Sequence, residues 1–182
     1  MSTVTYLHFK KIHRDIKPSN IFLRNETSSP IPTVLLGDFG LACLHQTKIV
    51  YNTAVAENKT TTHIEGVGTS VYAAPEQKNS TVYDNAVDIY SAGIVFFELC
   101  IPFHTQMERL EAIGKLKKGE LSKEFKTSFS DEDGLIEEMC RDNLEKRLHA
   151  FEIVTKLGKI GENVESLKYH IQELENEVMT FT

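Results

Sequence analysis

Two polar clusters constrain this chain more than any other feature: His13-Arg14-Asp15-Ile16-Lys17-Pro18-Ser19-Asn20, and Asp38-Phe39-Gly40. Between them lie two short apolar runs, Ile21-Phe22-Leu23 and Val34-Leu35-Leu36, on either side of the polar stretch Asn25-Glu26-Thr27-Ser28-Ser29-Pro30. Apolar runs of that length bounded by turn residues read as the two strands of a hairpin. A hairpin returns the chain to where it started, so Asp38 is predicted to lie beside Asn20 although 18 residues separate them. The fold must therefore present two carboxylates, a lysine and an amide at one place.

Those groups define a chemistry. The spacing H-R-D-x-x-x-x-N pairs a carboxylate able to accept a hydroxyl proton with an amide suited to a metal ion, the floor of a phosphoryl-transfer site. A strand-end aspartate beside an asparagine supplies the hard oxygen ligands that Mg2+ prefers, and such a metal bridges the phosphates of a nucleotide. Asp15 is the predicted base, and Asn20 and Asp38 the predicted metal pair. Alone, His-Arg-Asp is an ordinary charged loop and Asp-Phe-Gly a turn; their order and spacing together carry the reading.

Composition bounds what the motifs can mean. With 182 residues, 41% hydrophobic and 25% charged, the chain has material for a real core. A net charge of -6 gives no basic stripe to displace counterions, so nucleic acid is not expected as a partner. The three cysteines, Cys43, Cys100 and Cys140, are far apart with no C-x-x-C, which suggests neither a disulfide framework nor a zinc knuckle. The longest apolar run, Ile94 to Leu99, is too short to span a bilayer, and no signal-peptide pattern opens the chain. A cytoplasmic location is the expectation, with the sequons at Asn25, Asn58 and Asn79 silent.

Tyr6-Leu7-His8-Phe9 reads as the tail of an apolar helix feeding His13. From Leu41 to Val67 periodicity is lost, which predicts a long loop rich in hydroxyls, Thr47, Thr53, Thr60, Thr61 and Thr62 among them. The loop closes on Gly68-Thr69-Ser70-Val71-Tyr72-Ala73-Ala74-Pro75-Glu76. Tyr83 to Gly93 then leads into Ile94-Val95-Phe96-Phe97-Glu98-Leu99, a run dense enough for a central buried helix that carries Asp88.

The ordered set His13-Arg14-Asp15, Asn20, Asp38-Phe39-Gly40 and Ala74-Pro75-Glu76 resembles the C-terminal lobe of a eukaryotic protein kinase over roughly Tyr6 to Leu157. The resemblance implies a protein kinase-like fold, mainly α with short β-hairpin strands, with residues 1–157 as the kinase domain. It implies ATP and Mg2+ as cofactors. Lys17 is similar to the serine/threonine kinase lysine that approaches the transferred phosphoryl group, and Thr69 to the threonine that links Asp15 with Lys17. Asp88 resembles the acceptor of hydrogen bonds from the catalytic-loop backbone, and Arg147 the arginine that pairs with Glu76. His13, Arg14, Phe39 and Gly40 enter as structural members of the same motifs. Leu144 and Leu148 stand where that family usually has prolines near the arginine.

A narrower likeness lies at Pro102-Phe103-His104-Thr105-Gln106-Met107-Glu108-Arg109, which is similar to kinases of the translation initiation factor two alpha subunit. Gly37, Leu41-Ala42-Cys43 and Gln77 agree with that subgroup. The likeness implies substrate docking by Thr105, Met107, Glu108 and Arg109, and a role in translation under stress. Read from the residues alone, Thr105 and Glu108 form a helix capping box. The subgroup's activating threonine falls on Ile64, so Thr60, Thr62 and Thr69 are the candidate phosphosites, with Arg14 as a phosphate partner. His8 and His13 stand one residue closer than in the family.

Val164, Leu167, Ile171, Leu174, Val178 and Phe181 alternate spacings of three and four, a heptad seam flanked by charge. Gly158 and Gly161 are predicted to separate it from the preceding helix, which makes residues 158–182 a second unit and a homodimer the expected partner beside a protein substrate. No Gly-rich loop, strand lysine or helix glutamate of the kind a complete kinase needs is found in the chain. The expectation is therefore the C-terminal lobe only, with the N-terminal lobe absent, and a non-catalytic docking or dimerisation module is the alternative.

Overall fold

The computed structural model describes residues 11–27, 29–44, 71–79 and 83–161. The expected helix at Tyr6–Phe9, the threonines Thr60, Thr62 and Thr69, and the heptad seam lie outside those residues.

The hairpin forms from β2, Ile21–Glu26, and β3, Ser29–Leu36, after a two-residue β1 at Lys11–Ile12. Its antiparallel register pairs Ile21 with Leu36 and Leu23 with Val34, so the two apolar runs face each other and deliver Asp38 back to the end of β2. An irregularity between Arg24 and Glu26 bends the tip, where Glu26 accepts from Arg24 Nη2 at 3.0 Å and from the Thr33 hydroxyl at 2.9 Å. Beyond Gly40 the expected uninterrupted loop is corrected. Phe39–Leu41 is a 3-10 turn, and β4, Cys43–Leu44, pairs antiparallel with β1, Ile12 against Cys43.

Helix α1, Pro75–Asn79, opens on a proline whose missing N–H is no loss at a first turn, with Glu76 at its positive end. Helix α2, Ala86–Cys100, buries Val87, Asp88, Ile89, Tyr90, Ser91, Gly93, Ile94, Val95 and Phe97. Burial on nearly every side explains why its sequence reads as a continuous run and not as a stripe. Helix α3, Gln106–Leu116, is capped by Thr105, whose side chain accepts from Glu108 N at 3.1 Å, while Glu108 Oε2 accepts from His104 N at 3.0 Å. Two further helices follow: α5 at Ser130–Met139 packs on α2, and α4 at Lys123–Ser128 packs on α5 and meets α2 through Phe125 against Phe97.

One core cluster joins Ile12, Ile16, Tyr72, Val87, Tyr90, Ile94, Phe97 and Phe125, so the segment bearing His13 to Asn20 rests directly on α2. A second cluster, Ile89, Leu135, Met139 and Ile153, lies between α2, α5 and the last described helix, α6, residues 150–161. That helix runs through Gly158 and reaches Gly161, so Gly158 does not break the backbone at the expected boundary; Ile153 and Ile160, packed in the second cluster, outweigh its poor propensity. Among the described residues no helix is long and apolar enough to cross a membrane.

Close approach of α2 to α5 needs the glycine at 93. A Cβ there would stand 2.7 Å from Cys140 Sγ and 2.9 Å from Met139 Cβ, whereas a Cβ at Gly114 in α3 would meet nothing within 4 Å. Gly93→Ala should therefore destabilise in urea unfolding, because overpacking costs about 1–3 kcal/mol and exceeds the helix-propensity gain of about 1 kcal/mol. Gly114→Ala keeps only the gain and should raise the midpoint.

Candidate active site

The site starts from a buried carboxylate on α2. Asp88, 1% exposed, accepts from His13 N through Oδ2 and from Arg14 N through Oδ1, both at 2.8 Å. Two charge-assisted bonds compensate its desolvation and fix the loop that precedes Asp15. The buried His13 ring closes the other side: Asp15 N donates to Nδ1 at 3.4 Å, which leaves the proton on Nε2 to donate to Gly37 O at 3.0 Å. The same ring meets the Phe39 ring edge-on at 5.0 Å. His13 thereby ties the loop to the residues around Asp38.

Asp15, Lys17 and Asn20 come together on that base. Lys17 Nζ lies 2.8 Å from Asp15 Oδ2. Asn20 Nδ2 donates to Asp15 O at 2.9 Å and to Asp15 Oδ2 at 3.2 Å. Those two bonds orient the amide so that Oδ1 is its remaining acceptor. Asn20 O accepts from Gly37 N at 2.9 Å, the hairpin closure that brings Asp38 to this side. Asp38 is exposed and adopts φ 58°, and its Oδ1 accepts from Gly40 N at 3.3 Å.

Asn20 Oδ1 and the Asp38 carboxylate are hard oxygen donors, and two protein oxygens fit Mg2+, which keeps waters and phosphate oxygens in its remaining positions. Among the described residues no cluster of three or more His, Cys, Asp or Glu side chains could hold a metal without such help. The hairpin beside them presents apolar surface, with Phe22 and Leu23 at 54% and 66% exposure. The Phe22 ring lies against Gly37, where a Cβ would come within 2.7 Å of it.

Glu76 and Arg147 form a buried bidentate pair, Nη1 to Oε1 at 2.6 Å and Nη2 to Oε2 at 3.2 Å. Sequence reasoning gave Gln77 no structural role, yet it is fully buried, accepts from Ala74 N at 2.9 Å and donates to Arg14 O at 3.2 Å. The available signal was an uncharged polar residue directly after the Ala-Pro-Glu segment, at the third position of α1. Arg14 Nε donates to Leu41 O at 2.5 Å.

The docking candidates do not share one face. Thr105, Met107 and Glu108 are exposed, whereas Arg109 turns inward, its Nε 2.5 Å from Glu98 Oε1. A cleft of about 530 Å3 lined by Leu116, Lys117, Cys140 and Arg141 contains none of the motif residues. Burial pushes Lys117 down to about 8, with Lys78 adding to it.

The protein kinase domain family matches residues 1–157. The chain is 35% identical over 182 residues to eukaryotic translation initiation factor 2-alpha kinase 1 of Rattus norvegicus, covering 96% of this chain and 28% of the relative. It is 33% identical over 164 residues to eukaryotic translation initiation factor 2-alpha kinase 3 of the same organism, covering 89% of this chain and 14% of the relative. Identity is 38% over 139 residues with the eIF-2-alpha kinase GCN2 of Schizosaccharomyces pombe, covering 71% of this chain and 8% of the relative. The chain thus spans under a third of the length of these relatives.

Replacing Asp88 by Asn tests the base of the site. An amide offers one oxygen where the carboxylate offers two, so one buried N–H loses its acceptor. Asp88→Asn should lower the unfolding free energy by about 1.5–3 kcal/mol, the scale of a hydrogen bond to a charged group. An unchanged urea midpoint would remove Asp88 as the anchor.

Proposed function

The chain belongs to the protein kinase family, with serine/threonine kinases of translation initiation factor two alpha among its relatives, and on that premise we propose that it is the C-terminal lobe of such a kinase. Residues 1–157 are the kinase portion and 158–182 a pairing segment. The reading rests on one observation: Asp15, Lys17 and Asn20 converge within hydrogen-bond distance over a loop anchored by Asp88.

In this reading Asp15 Oδ2 takes the proton of a serine or threonine hydroxyl and orients it. Lys17, whose ammonium already faces that carboxylate, stabilises charge on the phosphoryl group in transit. Asn20 and Asp38 hold Mg2+, which when bound neutralises the phosphates of ATP. The exposed Phe22, whose ring lies against Gly37, offers an adenine one apolar wall. Thr69 bridges Asp15 and Lys17, and Thr60, Thr62 or Thr69 carries a regulatory phosphate of about -1.5 to -2 charges, with Arg14 as its partner. Glu76 and Arg147 keep the segment ahead of α1 in place. The substrate is the alpha subunit of initiation factor two, docked on the exposed side of α3, and the setting is cytoplasmic translation control under stress.

Joined to an upstream kinase lobe, the chain should transfer phosphate from ATP to that subunit, and chelation of Mg2+ should stop it. Asp15→Asn should lower the rate by about two to four decades, the usual worth of a positioned general base. Full activity in that variant would remove the assignment. A docking or dimerisation module is the second reading, favoured by the 77% exposure of Met107 beside the exposed Leu110. Sedimentation with and without residues 163–182 addresses its pairing part: a monomer in both cases eliminates the homodimer.

A further inference from the structure

Tyr72 and Glu98 are polar groups that the transfer chemistry leaves without a role, and both are engaged by a residue of α3. Arg109 Nε lies 2.5 Å from Glu98 Oε1, with the two side chains only 22% and 9% exposed. The Tyr72 hydroxyl donates to Glu98 Oε2 at 3.0 Å, and Arg109 Nη2 donates to the same hydroxyl. The guanidinium carbon stands 5.7 Å from the centroid of the Tyr72 ring. Burial, and then the Glu98 carboxylate, push Tyr72 up to about 12, so its hydroxyl stays protonated and able to donate. One guanidinium therefore binds three elements together: α3, the C-terminal turn of α2, and the segment entering α1.

That segment leads to the catalytic loop. Tyr72 O accepts from Ser91 Oγ at 3.0 Å. Two residues further, Ala74 N donates to Gln77 Oε1 and Gln77 Nε2 donates to Arg14 O, the neighbour of Asp15. Arg109 stands at one end of this run of contacts and Asp15 at the other. A side chain so enclosed has little surface left for a partner, while Thr105, Met107 and Glu108 on the same helix are exposed.

We propose that Arg109 is a positioning residue and not a docking contact: with Glu98 it sets Tyr72 and residues 71–74 against the catalytic loop, so that a protein bound on the outer face of α3 influences Asp15. The proposal rests on the kinase reading above. It assigns Glu98 and Tyr72 to the same unit. A lysine at 109 could reach Glu98 as a point charge but could not also fork to the Tyr72 hydroxyl, so Arg109→Lys should restore only part of the effect.

Two measurements on the chain joined to an upstream kinase lobe decide it, with wild type, Arg109→Ala, Arg109→Lys and Glu98→Gln. Steady-state phosphorylation is followed with the intact initiation-factor subunit and with a short acceptor peptide that lacks the docking surface. Positioning predicts a fall in kcat of about two- to thirtyfold for both substrates, the span of couplings carried by packed networks, with KM for the intact subunit unchanged. A raised KM for the intact subunit with peptide kinetics untouched would make Arg109 a docking contact and overturn the proposal, as would kinetics unchanged throughout. Amide hydrogen exchange supplies the second measurement. Faster exchange at 71–77 in Arg109→Ala supports the proposal, and a change confined to α3 overturns it. Should the wild-type protein transfer no phosphate to either substrate, the kinase reading fails by itself and hydrogen exchange still decides whether Arg109 controls 71–77.

Discussion

The structure depends on a polar stripe running down an otherwise apolar helix. On α2, Asp88, Ser91 and Glu98 stand at i, i+3 and i+10, which places them along one side of the cylinder. Each spends its polarity on a different piece of loop. Asp88 takes the N–H groups of His13 and Arg14, Ser91 donates to Tyr72 O, and Glu98 accepts from the Tyr72 hydroxyl and Arg109. The opposite surface is given to packing, with Ile89 and Ala92 facing α5 and α6 in the second cluster. A single rigid rod thus sets the loop from His13 to Asn20, the segment before α1 and the helix α3 in one frame, and each loop backbone is held by an acceptor or donor that desolvation makes costly to lose.

Arg147 completes that frame at the N-terminal end of α2. Its side chain is fully buried, and all five N–H groups have acceptors: Nη1 bonds Glu76 Oε1 and Ala86 O, Nη2 bonds Glu76 Oε2 and Arg141 O, and Nε bonds Arg141 O. The guanidinium also lies 5.0 Å from the centroid of the Tyr90 ring. A buried ion pair is weak evidence for stability when its remaining donors go begging; here none does. Lysine, with three donors on a point charge, could not replace this fork. The pair is thus a device for fixing α1 against the end of α2.

Much of this was legible in the sequence, and the parts that were not share a cause. The hairpin followed from two apolar runs around a turn, and α2 followed from its density of apolar residues. The β1–β4 pairing did not, because a two-residue bridge leaves no periodic trace. Continuity of α6 through Gly158 was hidden because local propensity disfavours it while distant packing decides it. The inward turn of Arg109 was hidden as well: a charged residue in a capped amphipathic helix reads as surface, and its partners Glu98 and Tyr72 lie on other elements. Gln77 likewise shows its role only when Ala74 and Arg14 are seen on its two sides. Local pattern marked the candidate residues, and tertiary contact shows the ones that hold them.

Where the backbone is strained sharpens that division. Among the described residues, two that are not glycine have positive φ, Arg14 at 71° and Asp38 at 58°, and both belong to the candidate site. A left-handed conformation costs a non-glycine residue roughly 1–2 kcal/mol and persists only where surrounding contacts over-determine it. For Arg14 those contacts are Asp88 on its N–H, Gln77 on its carbonyl and Leu41 O on its Nε. For Asp38 they are the bond from Gly40 N to its own carboxylate and the hairpin closure at Asn20 O one residue before. At Arg14 the holding contacts come from Asp88, Gln77 and Leu41, so the turn before Asp15 can be altered without touching Asp15 itself. At Asp38 they come from its own carboxylate and the Asn20 backbone, so strain and candidate metal-holding residues cannot be separated there.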